Sequence, residues 1–398
     1  MRNPQSLTTA MILAACVALG PLSTDMYLPS LPMLVGVFST SIDQVQLTLS
    51  VFLFGFAVGQ LIYGPLADRF GRKPIMLLGM FIFTVATIIC IFVQTIDGLI
   101  ICRFFQAIGG CVGPVLGRTV VRDIYGAVKA AKMLSYIATA MALAPAFAPI
   151  IGGYLATWFS WHAVFVLLSI YGVLMLWLVW AYVPETRPEE SQAVLNPLII
   201  LKNYTVLVLN RQYNGYVLCC SFAYGGLFAF ISGSSFVLID FLGVEKQHFG
   251  YFFGVIIIGY MAGTLIAGRF SLRWGINRLV LLGVVLMTGA GLTMVTAAIL
   301  QIYTVWVVIL PMMFFSAGGG IVMPQAMAGA LAPFPEMTGT ASALFGFTQS
   351  MMAALTGMLV GHLHSGTSFV MASSIALMGI ASLVSYFSLI HFQRPVAH

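Results

Sequence analysis

The chain has 398 residues, 60% of them hydrophobic and only 7% charged, and its mean hydropathy is +1.02. Soluble domains carry roughly 45–50% apolar residues, so an aqueous fold could not hide this much apolar surface, and the sequence describes an integral membrane protein. The formal net charge of +6 reflects lysine and arginine gathered between alternate apolar runs; it is an orientation signal and requires no nucleic-acid partner.

Twelve apolar runs follow one another, each close to the ~20 residues that cross a ~30 Å hydrocarbon core as a helix. They lie near 7–32, 44–66, 74–94, 98–122, 133–156, 162–183, 212–239, 248–270, 278–299, 302–328, 337–361 and 367–391. The first follows Arg2 but is longer than the apolar part of a signal peptide, carries Asp25 and ends in "YLPSLP", so it reads as a span. Spans 2 and 3 are joined by "YGPLADRFGRKP", Tyr63 to Pro74, which gathers Asp68, Arg69, Arg72 and Lys73. Span 4 holds Arg103 within its apolar run. After span 6, "VPETRPEESQAVLNP" is charged and proline-bearing, as suits a linker. The expected organisation is a six-helix bundle over 1–183, a cytoplasmic linker over 184–211 and a second six-helix bundle over 212–398. Cys16, Cys90, Cys102, Cys111, Cys219 and Cys220 all fall in spans and read as packing residues rather than disulfides or metal ligands.

With the N-terminus inside, fifteen of the seventeen basic residues become cytoplasmic: Arg2, Arg69, Arg72, Lys73, Arg118, Arg122, Lys129, Lys132, Arg187, Lys202, Arg211, Arg269, Arg273, Arg278 and Arg394. Only Lys246 lies outside and Arg103 within a span. The positive-inside rule therefore places both termini in the cytoplasm.

The halves are related. Gly55, Gly59, Gly64 and Gly71 recur as Gly259, Gly263, Gly268 and Gly275 at an offset of 204, with Leu61 and Ile62 matched by Leu265 and Ile266. "RFFQAIGGCVGP" from Arg103 matches "MFFSAGGGIVMP" from Met313 at an offset of 210. Duplication of this kind points to a transporter, since alternating access needs two similar bodies.

The motifs also resemble a known family. "GPLADRFGRK" is similar to the loop signature of the major facilitator superfamily, "RFFQAIGG" to the span-4 motif of its drug:proton antiporters, and "APAFAPIIGG" to their span-5 antiporter motif. "LSTDMYLPSLP", "VRDIYG" and "PFPEMTGTASAL" resemble the Bcr/CflA branch of bicyclomycin, chloramphenicol and sulfonamide exporters. The span-5 motif usually has Gly-Pro before its final glycines, where this chain has Ala148-Pro149. The resemblance implies twelve helices in two halves, a bacterial inner membrane location, drug-like substrates and protons as partners, no cofactor, and work as a monomer. It also implies that Gly64, Asp68, Arg69, Gly71, Arg72 and Lys73 form a latch, with Asp68 as the switching contact. Pro145, Pro149, Gly152 and Gly153 form the antiporter motif. The residue-level alternative for the loop is a solvated turn held to the anionic leaflet.

Charges inside spans mark functional sites, because each costs ~2.5–3.5 kcal/mol near the bilayer centre on insertion scales. Asp25 and Arg103 both fall in the outer half, where a changing separation would change proton affinity; a static buried ion pair is the alternative. Spans 1, 4, 7 and 10 line the cavity in this family. That makes Tyr27, Gln106, Arg118, Tyr224, Phe228, Ser232, Met323 and Gln325 candidates for substrate contact, against helix packing or, for Arg118, snorkelling. Few fixed charges suit moderately apolar drugs better than sugars or dicarboxylates. The expected function is proton-coupled drug efflux, with a same-fold metabolite transporter as the alternative. An intramembrane enzyme would need a nucleophile and base or a metal cluster, and no such constellation is present.

Overall fold

A computed structural model describes residues 7–187 and 197–391, with side chains left aside at 127–132, 134–140, 142 and 197–201. Arg2, Arg394, linker residues 188–196 and the side chains of Lys129 and Lys132 therefore lie outside the described set. The described chain is helical throughout: α1 Leu7–Asp25, α2 Leu31–Val37, α3 Ile42–Phe70, α4 Arg72–Phe92, α5 Ile96–Gly110, α6 Val112–Trp158 and α7 His162–Tyr182 in its first part. Then come α8 Pro197–Leu209, α9 Arg211–Ser235, α10 Lys246–Ile299, α11 Val305–Leu331, α12 Thr338–His362 and α13 Phe369–Ser385. Short 3₁₀ segments at Leu28–Ser30 and Pro335–Met337, and π-turns at Phe236–Phe241 and Tyr386–His391, extend or join them.

Among the described residues, ten helical segments are long and apolar enough to cross a membrane, and Leu143–Trp158 is a shorter apolar helix. Only helices can do so without stranding backbone N–H and C=O groups in hydrocarbon, short of a closed barrel. Burial runs opposite to a soluble protein: Phe92, Trp158, Phe159 and Leu265 are exposed, while Arg103, Gln106, Thr48 and Ser50 are fully buried. Apolar surface outside and polar groups inside is the pattern that lipid solvation selects.

The chain clusters into two compact units, Met1–Leu195 with Glu245–Tyr251, and Asn196–Val244 with Phe252–His398. In the first, α1 packs along α6, α3 on α5, and α4 on α5 and α7. Gly152 makes part of this packing obligatory, since a Cβ there would collide with the Met26 carbonyl oxygen. Ala148 is buried with Met26, Val164 and Leu168, which is the local packing that Ala148-Pro149 supports. In the second unit α9 is central, with α11, α12 and α13 against it.

The connections carry more structure than the sequence reading gave them. The linker is not wholly irregular: Pro197–Leu209 forms α8, and only Asn210 separates it from α9, its side chain accepting a hydrogen bond from the Tyr213 N–H at 2.8 Å. α6 and α10 are each two helices that meet at a kink, at Gly126 and Gly275, whose dihedrals are non-helical.

Candidate functional site

The most polar buried point of the first unit is Arg103, on α5. Its side chain is 0% exposed, lying over the Phe52 ring at 4.3 Å and the Tyr27 ring at 4.9 Å from centroid. One nitrogen, Nη1, donates to the Ser23 carbonyl oxygen at 3.0 Å and to Gln106 Oε1 at 2.6 Å. Gln106 passes the chain on, its Nε2 donating to Thr87 Oγ1 at 2.8 Å. Thr48 Oγ1 donates to the Val45 carbonyl oxygen at 2.6 Å, so the Tyr27 hydroxyl, 3.1 Å away, is the donor in their contact. Nε and Nη2 of Arg103 have no hydrogen-bond partner among the described residues.

Asp25 is buried nearby at the end of α1 but does not pair with Arg103. Its Oδ1 accepts from Thr24 Oγ1 at 2.9 Å, and no ion pair joins the two among the described residues. Ser23 offers its backbone carbonyl to Arg103, while the Asp25 carboxylate is held by the hydroxyl of its neighbour Thr24. The static ion pair, the alternative reading, is not formed here: the two are separate buried groups within one unit.

The loop after α3 is a second polar cluster, also within the first unit. Gly71 ends α3 and opens α4 with φ 103° and ψ 151°, a region that essentially only glycine occupies. Arg72 forms an ion pair with Asp68 one turn earlier and reaches Asp123 Oδ2 with Nε at 3.5 Å. Glu185, beyond the end of α7, accepts backbone N–H bonds from Arg72 at 2.8 Å, Lys73 at 3.2 Å, and Thr186 and Arg187 at 2.9 Å. Arg187 donates to the Arg69 carbonyl oxygen at 2.5 Å, and Thr186 to Asp123 at 3.1 Å. Partial burial pushes the Glu185 carboxyl up, but the four N–H donors outweigh it and hold it below its ordinary 4.5. Sequence reasoning missed Glu185, Thr186 and Asp123, placing the first two in a linker; the only signal was a carboxylate in "PETR" without a stated partner. A Cβ added at Gly64 would meet nothing within 4 Å among the described residues.

The cavity candidates divide. Tyr27 and Gln106 join Arg103. Arg118 does not: it is exposed on α6, with Nη2 4.0 Å from Met141 Sδ. In the second unit Tyr224 and Phe228 pair at 5.9 Å between ring centroids. Ser232 donates to the Gly357 carbonyl oxygen at 3.4 Å, and Gln325 accepts from Ser271 Oγ at 3.2 Å, so both use polar groups to join helices. Met323 is half-buried. All six cysteines are free, and no group of three or more His, Cys, Asp and Glu among the described residues could hold a metal.

The profile of the Major Facilitator Superfamily matches residues 13–357. The chain belongs to that superfamily. It is 33% identical over 389 residues to the bicyclomycin resistance protein homolog of Haemophilus influenzae, covering 97% of this chain and 98% of that protein. It is 30% identical over 363 residues to multidrug resistance protein D of Escherichia coli, covering 90% and 91%. It is 27% identical over 359 residues to the chloramphenicol resistance protein of Pseudomonas aeruginosa, covering 88% and 83%. Among solved structures, that of a D-xylose-proton symporter superposes with a TM-score of 0.76 at 16% identity over 98% of each chain, a likeness of fold. This Major Facilitator protein is accordingly a multi-pass membrane transporter of small molecules and not an enzyme. Its relatives are bacterial, and an α-helical bundle of this kind belongs to the inner membrane, since outer-membrane spans are barrels.

Proposed function

We propose that the protein exports small drug-like or amphipathic compounds, of the chloramphenicol or bicyclomycin kind, across the bacterial inner membrane in exchange for protons, by alternating access and as a monomer. In this reading the chain crosses twelve times with both termini cytoplasmic: α10 counts twice about Gly275, and Leu143–Trp158 completes a crossing in the second part of α6. Asp25 and Arg103 couple the proton, Gly64, Asp68, Arg69, Gly71, Arg72 and Lys73 form the latch, and Pro145, Pro149, Gly152 and Gly153 the antiporter motif. Tyr27, Gln106, Arg118, Tyr224, Phe228, Ser232, Met323 and Gln325 are the substrate-contact candidates.

The observation that carries the reading is Arg103, buried with two donor groups open and an acid on the adjoining helix that does not neutralise it. A charge so placed is costly to keep for packing alone. A deprotonated Asp25 would be drawn to the open edge of Arg103, and a protonated one would not. Proton loading then changes which groups hold α1 to α5. Each proton exchanged supplies ~1.36 kcal/mol per pH unit, and each net charge moved ~2.3 kcal/mol per 100 mV.

The test is proton release from detergent-solubilised protein on addition of chloramphenicol or bicyclomycin, comparing wild type with Asp25→Asn. Release from wild type and none from a folded Asp25→Asn is expected. Undiminished release from the variant would remove Asp25 from the coupling.

A further inference from the structure

Beside the loop cluster, α4 and α7 flank an apolar groove of about 540 Å³, lined by Leu77, Leu78, Phe81, Val173, Trp177 and Trp180 among others. Lys73, Leu77 and Phe81 are four residues apart on α4 and so share one helix face. The Lys73 ammonium donates to the Trp180 carbonyl oxygen at 2.8 Å, so Trp180 lies at the Lys73 end, and on the antiparallel α7 Val173 lies towards the Phe81 end. Eight residues of helix give a length of about 12 Å. That is within the ~15 Å that one leaflet contributes to the hydrocarbon core. Phe81, Val173, Trp177 and Trp180 are all more than half exposed on the outer surface of the helices, where lipid solvates the protein.

Among the described residues no charged side chain lines the groove, and Lys73 stands at one end of it. A lysine ammonium carries three donors, and the Trp180 carbonyl takes one. Neighbouring carboxylates are engaged elsewhere: Glu185 with four backbone N–H groups, and Asp68 and Asp123 with Arg72. An apolar slot one leaflet deep, with a cation at the level where headgroups lie and tryptophans beside it, matches a lipid in both shape and charge.

We propose that this groove binds an anionic phospholipid of the cytoplasmic leaflet, with one acyl chain between α4 and α7 and the headgroup phosphate on the Lys73 ammonium. The leaflet assignment rests on the N-inside orientation proposed above; the binding itself does not depend on transport. Because Lys73 directly follows the Arg72 network, occupancy would tie the lipid composition of the membrane to the loop.

The experiment is native mass spectrometry of the full chain in neutral detergent, titrated with phosphatidylglycerol or phosphatidylcholine of identical acyl chains, and separately with glycerol 3-phosphate. Wild type should retain phosphatidylglycerol about fivefold more than phosphatidylcholine, the preference that one lysine near a headgroup supplies. Lys73→Gln should equalise the two lipids, Val173→Trp should reduce retention of both by filling the groove, and glycerol 3-phosphate should leave no adduct. Equal retention by wild type, a preference that survives Lys73→Gln, or undiminished retention by Val173→Trp would each overturn the proposal. So would a glycerol 3-phosphate adduct as abundant as the lipid. Val173 is exposed, so that variant decides the matter should Lys73→Gln fail to fold.

Discussion

Gly55 and Gly59 of the first repeat abut Phe104 and Cys111, and Gly259 and Gly263 of the second abut Met313 and Ala317, so close that a Cβ at any of the four would press on its neighbour. Gly71 and Gly275 share nearly the same unusual backbone, φ 103° and ψ 151° against φ 74° and ψ 164°. Within each unit the repeated helix pair is therefore built on the same close approaches and the same sharp turn. The chemistry laid over it differs. At the offset of 204, Asp68 corresponds to Leu272, which is fully exposed, and Arg72 to Ile276. At the offset of 210, Arg103 corresponds to Met313 and Gln106 to Ser316, whose hydroxyl donates to the Ile256 carbonyl oxygen at 2.7 Å and merely joins α11 to α10. Duplication preserved the positions where backbones must touch, because any side chain there is excluded by contact. It left the charges free to diverge, and among the described residues one copy alone carries the buried cation and the ion-paired loop.

The largest effect is expected when the second copy's residue is written into the first. Arg103→Met should bring drug efflux in proteoliposomes to background while Tm stays within about 5 °C of wild type. Replacing a buried charge by an apolar side chain of similar volume is often neutral or stabilising, which offsets the acceptors left on Ser23 and Gln106. Efflux retained by a folded Arg103→Met would make the two copies functionally equivalent here.

The turn glycines give a smaller effect and a finer contrast. Gly71→Ala and Gly275→Ala should each cost about 1–3 kcal/mol, because both dihedral pairs are essentially closed to a residue with a Cβ. Gly71→Ala should cost more, since its Cβ would stand 2.5 Å from Glu185 Oε2, whereas nothing lies within 4 Å at Gly275. Thermal unfolding of the two variants side by side measures the difference, and equal losses would show that the Glu185 cap contributes nothing at the turn.

The smallest effect concerns that cap and its pH dependence. The Glu185 carboxyl is held below its ordinary value in the folded protein, so its contribution is fully present above about pH 4.5 and lost as pH falls through the lower folded value. Glu185 is exposed, so screening keeps the term near about 1 kcal/mol. Wild type should lose part of its Tm advantage over Glu185→Gln between pH 5 and pH 3, and parallel curves for the two would assign the acid sensitivity elsewhere. No counterpart of this sensitivity is expected from the Gly275 turn, where no ion pair involves Arg269, Arg273 or Arg278 among the described residues.

The apolar runs, the repeat and the span-embedded Arg103 were legible in the sequence because each is a local property of composition or spacing. Hydrocarbon sets the length of a span, and the expense of a buried charge marks the exception. Asp68 and Arg72 could be read as partners for the same reason, being one helical turn apart. The acids that complete their cluster could not. Asp123 and Glu185 lie more than fifty residues from Arg72 in sequence, and nothing in "RDIYG" or "PETR" states which helix end they will meet. Whether Asp25 and Arg103 pair was left open by the sequence for a related reason: sharing a membrane depth does not fix which way a side chain points.

By itself, then, the sequence determined that this protein lives in a membrane, that it is built twice over, and which few ionisable groups are placed at a cost. Those outcomes follow from transfer free energies that each segment carries alone. Tertiary structure decided the pairings. It gave the Arg103 guanidinium to the Ser23 carbonyl and two aromatic rings rather than to Asp25, bent Glu185 back onto the start of α4, and turned Ser232 and Gln325 to helix joining. Such choices depend on rotation about helix axes and on contacts across long stretches of chain, where a shift of one residue turns a side chain by about 100° and changes its partner.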